Sequence, residues 1–214
     1  ASLMELMISL ALSLLVTTAM VVLMSNSMGT ATRIIQMTQL SDELRNAMSM
    51  MTRDLRRSNY SANAAYCYAN SDCGIDGSAT QVGDIVIDGG SCMTFNLDRN
   101  QDGNASTDPA GGFRLSDAGG VGFLEMWVGD SEPECADDNG GNWMEVTDPD
   151  YVDITDFEID DSNSIVGSIT TEGGGTLTQR TRQISIRGEG QLLLDDNITR
   201  RLEDTIKVRN DWLN

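Results

Sequence analysis

The sequence predicts an α+β protein: one long N-terminal α-helix, its first part lipid-embedded and its second part amphipathic, followed by an antiparallel β-sheet head. Three observations carry this. Residues 6–32 contain no charged side chain, since Glu5 is the first charge and Arg33 the second. From Arg33 to about residue 57 apolar side chains recur at helical spacing between charged ones. Beyond residue 60 the pattern changes to short alternating runs punctuated by Gly, Asn, Asp and Ser. The expected segments are therefore 1–28, 29–60 and 61–214.

The first segment has the length and chemistry of a membrane span. Leu6 to Met24 is dominated by Leu, Met, Ile, Val and Ala. Nineteen such residues rise roughly 28 Å as a helix, about the thickness of a bilayer core. A cleaved secretory signal is the competing reading, but it should open on Lys or Arg. This chain opens Ala-Ser-Leu-Met-Glu, and its first proline is Pro109, so the span is expected to run on into the next helical stretch and to be retained. Glu5 is costly in lipid unless paired or held near the interface. Two readings stay open for it. It is a helix-terminal acid favoured by the macrodipole, or it pairs with a cation. No basic side chain precedes Arg33, so that cation is an α-amino terminus, which a neighbouring copy supplies.

The second segment shows one apolar face. Met37, Leu44 and Met51 lie seven apart, as do Ile34, Ser41, Met48 and Leu55, with Arg45, Arg53, Asp54 and Arg56 between the stripes. Such a stripe is expected to pack on a sheet. A helix of residues 1–57 would be a rod of roughly 85 Å, more than a soluble domain of this size needs.

In the third segment Asp84–Asp88 reads as a compact strand. Met93, Phe95 and Leu97 alternate with Cys92, Thr94 and Asn96. Gly122–Val128 is a further run carrying Trp127. Val152 and Ile154 alternate, and the phase then slips before Phe157 and Ile159, which predicts a β-bulge. Ile184 with Ile186, and Ile206 with Val208, mark the last two strands.

Composition removes most enzyme classes. The chain has no histidine, which excludes Ser-His-Asp and Cys-His catalysis, His-containing zinc sites and His-ligated haem. With 33 acidic residues against 14 basic, net −19, a nucleic-acid partner is not expected. Carboxylates are plentiful, but nothing fixes a catalytic pair, and no enzymatic activity is expected. Electron conduction is rejected too, because no aromatic residue precedes Tyr60 and no Cys-x-x-Cys-His haem site occurs.

The opening Ser2-Leu3-Met4-Glu5-Leu6-Met7-Ile8, followed by an apolar run and an amphipathic half, resembles the type IV pilins and pseudopilins. The run Met51-Thr52-Arg53-Asp54-Leu55-Arg56-Arg57-Ser58-Asn59-Tyr60 and the C-terminal Ile206-Lys207-Val208-Arg209-Asn210-Asp211 are similar to those of PilW-type pilins. The resemblance implies a type IV pilin-like fold, a leader cut before Ala1, and N-methylation of that residue. It also implies that Glu5 neutralises the terminus of an adjacent subunit. It departs from the family at Ala1, usually Phe, and in lacking a proline near position 22.

The function this implies is structural. The chain would be a subunit of an extracellular type IV pilus-like filament, leaving the inner membrane, with its head outside the cytoplasm, to polymerise through its apolar helix. Its partners would be copies of itself, other pilins and the assembly machinery. The reading leans towards a major pilin. The alternatives are a PilW-type minor or tip-priming pilin, a type II secretion pseudopilin, or a head acting as a calcium-braced adhesin. An adhesin would present an exposed aromatic cluster, for which Trp127, Trp143 and Tyr151 are the candidates; core and rim packing is the plainer expectation for all three.

Cys67, Cys73, Cys92 and Cys135 all lie in the head, and an exported head predicts two disulfides. Three pairings are open, with Cys67–Cys73 and Cys92–Cys135 favoured. A four-thiolate zinc site is the rival, but the spacings lack the close pairs such sites prefer.

Oxygen donors alternate through Asp98, Asn100, Asp102, Asn104, Ser106 and Asp108, with Gly103 sixth. Alternate donors in a curled loop converge on one centre, so the run resembles calcium loops such as those of dockerins. It departs at the twelfth position, which is Pro109 and not an acid. A structural calcium loop and a solvated Asx-rich turn both remain open.

Charge is unevenly spread. Residues 61–179 hold 23 acids against Arg99 and Arg114, whereas residues 180–214 hold seven bases and six acids. The bases are expected to pair within the head, or to meet the acidic surface of a neighbouring subunit.

Overall fold

In the computed structural model the N-terminal helix α1 runs from Leu3 to Leu55 without a break. The structure describes residues 2–58, 60, 85–96, 111–129, 133–136, 142–170, 176–208 and 212–213. The chain divides into two units, residues 1–39 and 40–214.

The first unit is helical from Leu3 onwards and exposed over residues 2–35. An 18-residue stretch of α1 is long and apolar enough to cross a membrane. Its hydroxyl side chains turn inward on their own helix. Ser9, Ser13, Thr17, Thr18, Ser27, Thr30, Thr32 and Thr38 each donate to a carbonyl three or four residues earlier, at 2.6–3.1 Å. These bonds let polar side chains sit among apolar ones without an outside partner, which lipid requires.

In the second unit Leu40, Leu44, Ala47, Met48, Met51 and Leu55 of α1 are buried. Their spacing repeats every three or four residues, one stripe of an α-helix. The expected stripe began at Ile34, which is 58% exposed; the buried face starts at Leu40. Arg53 sits in the last turn, where a cation complements the helix dipole. Buried Ser58 closes the helix by donating its hydroxyl to the Leu55 carbonyl at 2.7 Å.

Among the described residues the strands form three antiparallel sheets where the sequence suggested one. The first is a meander of β1 (Val86–Asp88), β2 (Cys92–Phe95), β3 (Gly111–Ala118), β4 (Val121–Trp127) and β5 (Trp143–Glu145), in that spatial order. The second has order β10-β9-β6, from β6 (Val152–Asp160), β9 (Gln183–Leu192) and β10 (Asp195–Lys207). The third has order β11-β8-β7, from β7 (Ile165–Thr170), β8 (Thr176–Thr181) and β11 (Trp212–Leu213).

Turn chemistry sets the first sheet. Ala118 pairs with Val121, so β3 and β4 are joined by Gly119-Gly120 alone, at φ of 67° and 88°. A two-residue turn with both φ positive is the mirror-image type that matches strand twist, and glycine enters it without strain.

The second sheet carries the helix. Ile184, Ile186, Gly188, Gly190 and Leu192 alternate inward along β9. A side chain at Gly190 would crowd Leu40 Cδ1 and Ile154 Cδ1, at 3.5 and 3.2 Å, and one at Gly188 would touch Leu44 Cδ2 at 3.8 Å. The two glycines are thus where the stripe of α1 comes down on the sheet. Polar ties flank the stripe. Asp148 N–H donates to Glu43 Oε2 at 2.9 Å, and Thr52 Oγ1 to Asp204 Oδ2 at 3.1 Å. The phase slip expected in β6 is present: its register with β9 shifts between Ile154 and Asp156. Because of that shift Val152, Ile154, Phe157 and Ile159 all face the core.

The first and second sheets meet at β4 and β6. Gly122 N–H donates to Asp153 Oδ1 at 2.8 Å, and Ile159 N–H to the Gly90 carbonyl at 2.7 Å. A side chain at Gly122 would overlap the Ile154 carbonyl oxygen, so glycine is what permits this approach.

Candidate functional site

Residues Ser2-Leu3-Met4-Glu5 start α1. Glu5 N–H donates to the Ser2 carbonyl at 2.9 Å, and Ser2 N–H donates to Glu5 Oε2 at 3.0 Å. This is the carboxylate half of a capping box, in which the acid three residues into the helix reaches back to the amide of the capping residue. It also places a negative charge at the positive end of the helix dipole. Of the two readings of Glu5, one chain by itself displays the helix-terminal acid. Ser2 thus has a role of its own, and its sequence signal is Ser-x-x-Glu before an apolar run. Ala1 lies outside the described residues. A carboxylate offers about four acceptor positions on two oxygens, so the bond from Ser2 leaves Glu5 with acceptor capacity for a further donor.

In the head, Cys92 and Cys135 are joined, linking β2 to the segment before β5 across 43 residues. Beside this bond Arg114 of β3 is buried. Its Nε donates to Glu125 Oε2 on β4 at 2.7 Å, and a second nitrogen donates to the Cys135 carbonyl at 3.0 Å. Arg114 and Glu125 are register partners. The guanidinium also lies 4.5 Å from the centre of the Trp143 ring, a cation–π contact. Trp143 in turn meets Trp127 edge to face at 5.3 Å. Trp127 is 3% exposed, and only Tyr151 of the three candidate aromatics is openly exposed. Those side chains pack an internal joint; they do not form an aromatic recognition surface.

The remaining expected site residues fall elsewhere. Cys67 and Cys73, and the donors Asp98, Asn100, Asp102, Asn104, Ser106 and Asp108, all lie outside the described residues. Among the described residues no group of three or more acidic or cysteine side chains is placed to hold a metal ion.

Two of the C-terminal arginines pair inside the head. Arg187 of β9 meets Asp156 and Glu158 of β6 at 2.9 and 2.7 Å. The hydrogen bond to Asp156, with Glu158 and Glu203 nearby, raises its pKa further above the ordinary arginine value, so it stays charged. Buried Arg182 lies 3.6 Å from Asp161 and also donates to the Ile85 carbonyl.

The sequence from 33 to 208 matches the model of the family described as PpdB, prepilin peptidase-dependent protein B. No curated protein and no solved structure matches the chain.

Proposed function

The chain belongs to the prepilin peptidase-dependent protein B family, and from that premise we propose that it is a structural subunit of a type IV pilus-like filament, polymerising through residues 1–28 of α1. Family membership makes it a pilin-like protein related to type IV pilus or secretion machinery. The observation that carries the filament reading is the state of α1. Its apolar residues point in every direction, and residues 2–35 are exposed in the single chain. A helix that is apolar all round is stable only when surrounded by lipid or by other helices. Before assembly the surroundings are the membrane; in the filament they are the same segments of neighbouring subunits.

Glu5 then has two tasks. In one chain it caps its own helix through Ser2. In the filament its remaining acceptor positions take the α-amino group of the next subunit, and the pairing sets the axial register. A carboxylate withdrawn from water demands such a partner.

Electron microscopy of filaments sheared from cells, with mass spectrometry of their bands, tests this reading. The expected result is this chain in the sheared fraction, beginning at N-methylated Ala1. Its abundance separates a major subunit from a low-copy or tip-priming one. Absence from sheared filaments, with the chain confined to the membrane, refutes the filament reading. Glu5→Gln separates the two tasks, since glutamine still completes a capping box but carries no charge. The variant is expected to accumulate in the membrane and to drop out of filaments. Normal assembly of Glu5→Gln would leave Glu5 as a helix cap only.

A further inference from the structure

The filament reading places heads of like charge side by side. Residues 61–179 contribute 23 acids against two bases, so close packing of such heads is opposed by repulsion unless cations lie between them. The structure sorts the C-terminal cations whose side chains it describes into two groups. Arg182 and Arg187 are held by Asp161, Asp156 and Glu158 within their own head. Arg200, Arg201 and Lys207 of β10 are exposed and, among the described residues, make no ion pair.

The position of β10 matters as much as its charge. It is an edge strand of its sheet, and its pairing with β9 runs unbroken from Thr199 to Lys207. Arg201 and Lys207 stand opposite Glu189 and Gln183, on the face away from the buried Ile184 and Ile186. Arg200 alternates to the other face. From Thr199 to Lys207 the strand therefore presents three cations with Glu203 and Asp204 among them, while Asp195 and Asp196 lie at its other end and Glu189 stands opposite Arg201; among the described residues no strand pairs with its outer edge. Edge cations also protect a strand from unwanted pairing. That role alone does not relieve the acidity of the rest of the head.

We propose that β10 is a subunit–subunit contact, in which Arg200, Arg201 and Lys207 of one head dock on carboxylates from residues 61–179 of a second copy. Charge complementarity selects the occupant: every copy carries both these exposed cations and, over residues 61–179, a large excess of carboxylates. Two different patches meeting head to tail make a heterologous interface, and such an interface repeats without closing when its rotation builds an open helix. The inference rests on the filament reading.

Lys207 is the sole lysine in the chain, which makes a direct test available. Sheared filaments are treated with a carbodiimide, which joins an amine to a carboxylate without a spacer. The expected product is a ladder of covalent multimers whose linking peptides join Lys207 to an Asp or Glu of residues 61–179. Lys207→Gln should remove those linkages and leave only any made through the chain terminus. Intact filaments in which Lys207 links only within its own chain, or only to a different protein, overturn the proposal. So does an absence of Lys207 links when the terminus reacts. The paired variant Arg200→Glu with Arg201→Glu is expected to lower filament yield at least tenfold at unchanged membrane level, with recovery in high salt. Unchanged yield overturns the proposal. Should the chain be missing from the sheared fraction, the filament reading fails separately. The Lys207 ladder sought in membranes then decides the contact by itself.

Discussion

Glu125→Ala strips the counter-ion from a guanidinium enclosed by the head. The Arg114 and Glu125 side chains are 10% and 11% exposed, and their Nε–Oε2 separation is 2.7 Å. A charge-assisted hydrogen bond contributes about 1.5–3 kcal/mol. Breaking a buried pair from one side costs about 3–5 kcal/mol, because the other charge is stranded. Arg114 keeps the Cys135 carbonyl and the Trp143 ring, so the lower end applies and the expected loss is about 3 kcal/mol. Replacing both partners, Arg114→Met with Glu125→Leu, leaves no buried charge. It forfeits the cation–π contact and the bond to Cys135, and the expected loss is about 1–2 kcal/mol. The assay is urea unfolding of the full chain in detergent with the disulfide intact, followed by the fluorescence of its three tryptophans, Trp127, Trp143 and Trp212. At a slope of about 2 kcal/mol/M, the single variant should move the midpoint down by about 1.5 M and the double variant by about 0.5–1 M. A single variant that moves it by under about 0.3 M, or a double variant as damaged as the single, would show that the pair is not held as a buried unit.

Removing the Cys92–Cys135 bond as Cys92→Ser with Cys135→Ser should cost about 4 kcal/mol by the chain-entropy relation for a loop of this length; urea midpoints under oxidising and reducing conditions check it. Gly122→Ala drives a methyl group into the Ile154 carbonyl where β4 meets β6, an overpacking expected to cost about 1–3 kcal/mol and visible in thermal unfolding. The Asp160 carboxylate is held below the ordinary Asp range by the Ser162 hydroxyl and then by the Ser162 N–H. Its stabilising effect is therefore complete above the unfolded value of about 3.9 and disappears as pH falls through the lowered folded value. Carboxyl NMR titration should show Asp160 ionising below the ordinary Asp value, and Ser162→Ala should move it back up. We propose calcium for residues 98–108, so excess Ca2+ should raise the melting temperature and Asp102→Ala should abolish the increase; equal melting with and without chelator would refute the calcium reading.

Much of this architecture was legible because it rests on period and charge. The gap between Glu5 and Arg33 marks the apolar helix, since no charge sits in lipid without a partner. The bulge in β6 could be read because a one-residue slip moves Phe157 and Ile159 onto the face that Val152 and Ile154 had occupied. Arg114 stood out as one of two cations among 23 acids; its burial and its partner did not, because Glu125 is one of many carboxylates and the pairing is a matter of register. The hairpin of β7 and β8 was not foreseen. Its Ile165, Val166 and Ile169 are all exposed, so no alternation of burial marks it.

The sequence by itself determined an α+β chain with a long apolar N-terminal helix, an acidic head and no means of histidine chemistry. These follow from local composition and periodicity, which need no knowledge of neighbours. Tertiary structure decided which cysteine meets Cys92, that the packed stripe begins at Leu40, that the strands divide among three sheets, and that Arg182 and Arg187 are used inside the head while the cations of β10 face outward. All of these depend on which residues distant in the chain come within a few ångströms of one another, and strand register and packing set those distances.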